Sequence, residues 1–267
     1  MTDTRRTAEP TPSEVADPVD VPASAPRRWW MVPPVDRRGL IVWIAAYVAM
    51  TAVATAVGLL VVHELGGVRS LDVDVARWLA RRRSDAWDSL TWGGSIVADA
   101  YVKIPATLVL CALFLWRWRR WTEVALLAGA LILEVAVFTT TAMIVDRPRP
   151  PIPHLDPVPP TGAFPSGHSA AAVAFYGAIA IIVWWHTHRR LMRAIATTVA
   201  VLMPLVVAAS RMYRGMHSLT DVVIGMVIGA ISLWATWLVT RDGPAAREGG
   251  AAAAREWNAP VMGTTPS

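Results

Sequence analysis

Cysteine is almost missing from this chain of 267 residues: Cys111 stands alone, inside an apolar block. A single thiol allows no internal disulfide and no cysteine-based metal cluster, and it says nothing about redox compartment. Lysine is as scarce. Lys103 is the only one among 25 basic residues, a bias that fits genomic composition better than chemistry. Charge of either sign is thin, with charged residues at 17% against 54% hydrophobic and a mean hydropathy of +0.41. These values exclude an ordinary water-soluble domain and exclude disorder of the whole chain. A net charge of +5 and a pI near 10.1 would suit nucleic acid binding, but the arginines cluster between apolar blocks. They read as topology signals, and no nucleic acid partner is expected.

Long apolar runs are plentiful. Six are long enough to cross a hydrocarbon core of roughly 30 Å: Leu40 to Val62, Ser95 to Trp116, Val124 to Val145, Gly167 to Trp185, Ala194 to Ala209 and Val222 to Val239. The expected fold is all-α, a six-span transmembrane helix bundle over 39–240. Two disordered cytoplasmic tails are expected beside it, at 1–38 and 241–267, whose compositions cannot bury enough surface to fold. The first run comes late and is expected to act as an uncleaved signal anchor. Arg27, Arg28, Arg37, Arg38, the clusters Arg117 to Arg120 and Arg189 to Arg193, and Arg241 all fall on one side, which the positive-inside rule makes the cytoplasm. The expectation is a multi-pass protein of the plasma membrane. Arg81, Arg82 and Arg83 violate the rule. They lie in a segment where Leu71, Val75, Trp78 and Leu79 share one helical face, as in an amphipathic helix lying on the outer membrane surface after the first span. Trp116, Trp118, Trp121, Trp184, Trp185, Trp234 and Trp237 mark the inner boundary as an aromatic belt. Gly225 and Gly229 form a small face that another helix can approach, in this chain or in a homodimer partner. Pro204 is expected to kink the fifth span.

Three polar clusters fall at the extracytoplasmic ends of spans three to six: Asp146 to Pro150, Pro165 to His168, and Ser210-Arg211 with His217 and Asp221. Ionisable groups at a membrane boundary are costly unless paired or functional, and here they converge. The turn Pro165-Ser166-Gly167 leads into an apolar helix whose free amides and positive dipole end suit an anion, phosphate above all. Taken alone, the turn is equally consistent with Ser166 as a simple cap and His168 as a surface histidine. His217 and Asp221 are spaced i to i+4, so the carboxylate can accept from one imidazole nitrogen and leave the other as base or nucleophile. A purely structural pair has the same spacing. Arg149 and Arg211 supply forked donors that match phosphoryl oxygens.

Arg149-Pro150, Pro165-Ser166-Gly167-His168, and Ser210-Arg211 followed by His217 and Asp221 together resemble the three-part signature of the type 2 phosphatidic acid phosphatase superfamily. The resemblance covers roughly residues 40 to 240. It implies a phosphohistidine mechanism with no metal and no cofactor: His217 as nucleophile, Asp221 as its orienting partner, and His168 as general acid for the leaving group. Arg149, Ser166, Gly167 and Arg211 would hold the phosphate. By this resemblance the protein would be a metal-independent phosphatase with an extracytoplasmic site. A site at the membrane surface favours a substrate anchored in the bilayer, such as a polyprenyl diphosphate, phosphatidate or phosphatidylglycerol phosphate. A lipid phosphotransferase using the same site, or a degenerate lipid-binding protein, are the alternatives.

One position departs from the pattern. The family's first motif opens with a lysine seven residues before the arginine matching Arg149, and Ala142 stands there. Arg147, Arg214 and Lys103 are the nearby cations that can substitute. The plainer reading pairs Lys103 with Asp99 and sends the two arginines to lipid headgroups. Glu134, midway along span three, is expected to be a neutral carboxyl hydrogen-bonded to a neighbouring helix.

Overall fold

The computed structural model of the protein describes residues 32–244, 246 and 247. These residues form eight helices and no strand: α1 (Arg37–His63), α2 (Gly66–Ala80), α3 (Asp85–Ile96), α4 (Ala100–Trp118), α5 (Thr122–Val145), α6 (Gly167–His186), α7 (Arg190–Tyr213) and α8 (Leu219–Arg241). Six of them, all but α2 and α3, are long and apolar enough to cross a membrane. The two expected tails lie outside the described residues apart from their inner edges, and α1 already begins at Arg37. The second span starts later than its hydropathy suggests. Residues 95–99 end α3 and turn, because Asp99 accepts from the Tyr101 amide at 3.2 Å and so caps a new helix.

Side-chain oxygens start the helices that matter most. Asp36 accepts from Gly39 N at 2.7 Å. Ser166 caps α6 through Ser169 N, and Ser218 and Asp221 form a reciprocal capping box on α8. At the other ends, Arg119 (φ 53°) and Asp146 (φ 41°) adopt the left-handed conformation and stop α4 and α5.

Helix α6 is the most enclosed of the six long helices and packs against α5, α7 and α8. Its alanines explain this. Ala170, Ala172, Ala174 and Ala178 are fully buried, and so small a surface lets neighbouring backbones close in. The small face of α8 meets this helix within the same chain. A Cβ at Gly225 would lie 2.3 Å from the Ser166 carbonyl oxygen, and one at Gly229 2.2 Å from that of Ala170. Leu126, Leu127, Leu133 and Val137 of α5 complete the interior. Outward faces are apolar instead: Ile44, Val48 and Val53 of α1, Leu108 and Val109 of α4, and Val201, Leu202 and Leu205 of α7 are all exposed. Lipid is the solvent those faces suit. Trp116, Trp184 and Trp234 also point outward. Trp118 turns inward instead and stacks on His186, with ring centroids 3.7 Å apart.

Helix α2 buries Asp72 and Ala76 while Leu71 and Trp78 stay exposed. Of the three arginines that follow, Arg82 covers the Trp78 ring at 3.9 Å. Arg83 donates to the carbonyls of Pro153 (2.8 Å) and Tyr213 (2.7 Å). The second is an orphan acceptor at the C-terminus of α7, so this arginine ties α2 to that helix and to the proline-rich loop. Pro204 lies inside α7 without ending it.

Candidate active site

Two helix starts are bolted together at one end of the bundle. The Ser166 amide donates to the Asp221 carbonyl at 2.9 Å, and Gly225 admits the Ser166 backbone beside α8. The proline-rich loop closes over this junction. Ala163 N donates to Arg147 O at 2.8 Å, and a Cβ at Gly162 would meet the Ala142 carbonyl and the Asp146 Cα, each at 2.9 Å. The three polar clusters, about 70 residues apart at the extremes, thereby become one site.

His217 is at its centre and only 4% exposed. Its Nδ1 lies 2.8 Å from the Ala163 carbonyl oxygen. A carbonyl can only accept, so Nδ1 carries the proton and Nε2 the lone pair. Burial first, then the charges of Arg211, Arg149 and His168, pulls this imidazole well below the ordinary histidine range. It is neutral, with a basic nitrogen facing cations.

Asp221 does not hold this ring. Its Oδ2 is 4.0 Å from His217 Nδ1 and accepts from Ser218 N at 2.7 Å, while Oδ1 takes Arg147 Nη1 at 2.6 Å. The i,i+4 spacing brings the two side chains near each other. The capping box and the buried arginine then claim the carboxylate, and a loop carbonyl orients the imidazole instead.

Arg147 is therefore no lipid-facing residue. Buried, it bridges Asp221 and Asp72, donating from Nη2 to Asp72 at 2.7 Å and from Nη1 to Thr220 Oγ1 at 2.7 Å. Burial opposes its charge, yet the two carboxylates outweigh that cost and push its pKa above the ordinary value. Arg214 is buried as well, held by Asp156 at 2.6 Å. Both cations are spent on internal pairs.

Arg149 and Arg211 keep capacity. Arg149 reaches the Met216 carbonyl at 2.5 Å through Nη1, and no ion pair involves it among the described residues. Arg211 Nη1 donates to Ser95 Oγ at 2.8 Å and to Asp156 Oδ2 at 3.0 Å. In each guanidinium the Nε is buried without an acceptor, as is His168 Nε2. Burial lowers the Arg149 pKa below its usual value, against the pull of Asp221. Arg211, Lys103 and Arg149 are the charges that bear on His168. Ser166 is fully buried beneath the start of α6, and Gly167 and His168 open the helix, ahead of its own hydrogen-bond ladder. The structure thus brings together Arg149, Ser166, Gly167, His168, Arg211, His217 and Asp221.

Sequence reasoning missed Asp72, Ser95, Asp156, Thr220 and the Ala163 carbonyl. Asp156 and the carbonyl sit in a loop with no periodicity. Two further expectations fail. Glu134 is fully buried but neither carboxyl oxygen makes a hydrogen bond, and Lys103 makes none either. Asp99 caps α4 instead of pairing with Lys103, although both acids lie within electrostatic range of the ammonium. Among the described residues no group of three or more His, Cys, Asp or Glu could hold a metal ion.

Residues 123–243 match the PAP2 superfamily. Over this segment the chain is similar to that superfamily. The PAP2 segment contains all seven of the converging residues. In three dimensions the chain is similar to the transmembrane PAP2-type phosphatidylglycerolphosphate phosphatase of Bacillus subtilis. The TM-score is 0.61 at 20% identity, covering 71% of this chain and 93% of that one. It is also similar to LpxE of Aquifex aeolicus, with a TM-score of 0.50 at 24% identity, covering 63% of this chain and 95% of that one. At such identities the likeness is one of fold, that of a multi-pass membrane protein. No curated protein matches the chain in sequence. Asp72, Ser95 and Lys103 lie outside the PAP2 segment.

Proposed function

We propose that the protein is a membrane-embedded phosphatase that hydrolyses a lipid phosphate or diphosphate through a phosphohistidine intermediate, with its site at the extracytoplasmic face. The carrying observation is the His217 ring, whose Nδ1 proton is fixed on the Ala163 carbonyl at 2.8 Å so that a neutral Nε2 is left among cations. In the proposed reaction His217 Nε2 attacks phosphorus in line, the phosphorus–oxygen bond to the leaving group breaks, and His168 donates a proton to the departing oxygen. Water then attacks the phosphohistidine with His168 as base, releasing inorganic phosphate and restoring both rings. Arg149, Arg211 and the start of α6 stabilise charge on the equatorial oxygens. Asp221 lies 4.0 Å from Nδ1, close enough to favour the cationic ring of the intermediate.

An apolar flank supports a lipid substrate. A cavity of 640 Å³ runs between α2, α3 and α7, lined by Trp78, Trp87, Leu90, Val206 and Tyr213 and reaching Ser210, the neighbour of Arg211. A hydrocarbon chain fits those walls while its phosphate meets the arginine. The two proteins of similar fold add a coarse argument, since one is a phosphatidylglycerolphosphate phosphatase.

The test is phosphate release by detergent-purified protein from a polyprenyl diphosphate, phosphatidate and phosphatidylglycerol phosphate, with EDTA present, beside His217→Ala. Release that resists EDTA and vanishes in the variant is expected. Equal release by the variant, or none by folded wild type, removes the proposal.

A further inference from the structure

Lys103 is the only lysine of the chain, and its ammonium is buried with no hydrogen-bond partner. Side-chain burial of this kind is expensive, because three N–H donors leave water and gain nothing in return. Packing places it beside the site. The turn between α3 and α4 is pinned by Ser95, which accepts from Arg211 at 2.8 Å. Ala98, in the same turn, packs in one cluster with Ala172 of α6 and Val207 of α7. Ala172 stands one helical turn beyond His168, and Val207 one turn before Arg211, so the first turn of α4 runs alongside both. Lys103 lies in that turn, within electrostatic range of His168 on one hand and of Glu134 and Asp99 on the other.

Neither acid satisfies the ammonium. No oxygen of Glu134 or Asp99 comes within ion-pair distance of Nζ, and both Glu134 oxygens are themselves without partners. The unspent donors nearby are Arg149 Nε and Arg211 Nε. Three cationic groups thus carry free N–H bonds around one histidine pair, while the end of α5 contributes only the methyl group of Ala142, itself buried.

We infer that Lys103 is a phosphate-contacting residue of this site, reaching it from α4. The inference rests on the reading of the site as one for phosphoryl transfer. It adds a third cation, from outside the PAP2 segment, to Arg149 and Arg211.

Binding of inorganic phosphate to the purified protein, followed by calorimetry, tests it apart from turnover. Lys103→Met is expected to weaken phosphate binding about 10- to 100-fold, the range for one charged hydrogen bond. The kcat/KM for a lipid phosphate should fall by a similar factor, and Lys103→Arg should recover part of both. The double variant Lys103→Met/Glu134→Gln removes the buried ammonium together with the carboxyl group nearby and serves if the single variant does not fold. Phosphate binding as weak in the double as expected of the single supports a direct contact. Wild-type affinity in the double variant overturns it, since Lys103 would then only balance Glu134. Wild-type protein that binds no phosphate also overturns it. Protein that binds phosphate in a Lys103-dependent way but releases none from any lipid leaves the contact standing and removes the hydrolase reading.

Discussion

At one end of the bundle, Glu123 is fully buried and a single oxygen, Oε1, takes both Arg120 at 2.8 Å and His186 at 2.9 Å, while Trp118 stacks on the histidine. The charged group left short of a partner there is an acceptor, Glu123 Oε2, beside the unpaired Thr122 hydroxyl. The opposite end also combines arginine, histidine and acid, yet its leftover atoms include the donors Arg149 Nε, Arg211 Nε and Lys103 Nζ. Similar residues thus produce opposite demands. An end with surplus buried acceptors repels an anion, and one with surplus donors recruits it. Residue type alone therefore identifies neither end as a site. The balance of spent and unspent hydrogen bonds does.

Several substitutions break or sharpen that contrast. The largest effect is expected from His217→Ala, which should reduce phosphate release on the order of 10⁴-fold or more while leaving phosphate binding measurable. A loss under tenfold would remove the histidine from the chemistry. Next comes Arg147→Met, which strands Asp72 and Asp221 inside the protein. Loss of one member of a buried ion network costs roughly 3–5 kcal/mol, read as a lowered midpoint of thermal unfolding in detergent. Gly225→Ala should cost about 1–3 kcal/mol through overpacking and displace Ser166, lowering kcat/KM as well. Unaltered activity there would show that α6 and α8 can part without harm. Arg120→Gln, at the other end, is expected to cost under about 1 kcal/mol, because that side chain is 31% exposed and Glu123 keeps His186.

A pH series sharpens the contrast further. The folded His217 titrates well below its unfolded value, so the unfolded chain takes up the proton first as pH falls. The stability this histidine contributes is complete above about pH 6.5, then drains away below it toward the folded pKa. The acid limb of kcat/KM for free enzyme should likewise lie below pH 6.5, since the nucleophile stays neutral until then. An acid limb above that value would contradict the buried, cation-facing imidazole.

Much of this was legible in the linear chain. Six apolar runs predict six helices because a bilayer requires both length and internal hydrogen bonding. The residues that converge are those whose chemistry the motifs display. Asp221 shows where such reading stops. Its spacing from His217 is real, but a carboxylate has few lone pairs, and Arg147 and Ser218 N outcompete the ring for them. Arg147 and Arg214 read as interfacial cations, because their partners Asp72 and Asp156 come from α2 and an aperiodic loop. Lys103 and Glu134 are 31 positions apart and on different helices, so nothing periodic relates them.

Sequence by itself determined what depends on local chemistry: the spans, the cap at Ser166, the small face of α8 and the candidates for phosphate contact. Only the tertiary structure decided which of those residues remain free to act. Hydrogen-bond capacity is finite and is allocated by contacts between distant segments, such as Ala163 with His217 and Ser95 with Arg211. That allocation is a property of packing, and no spacing along the chain encodes it.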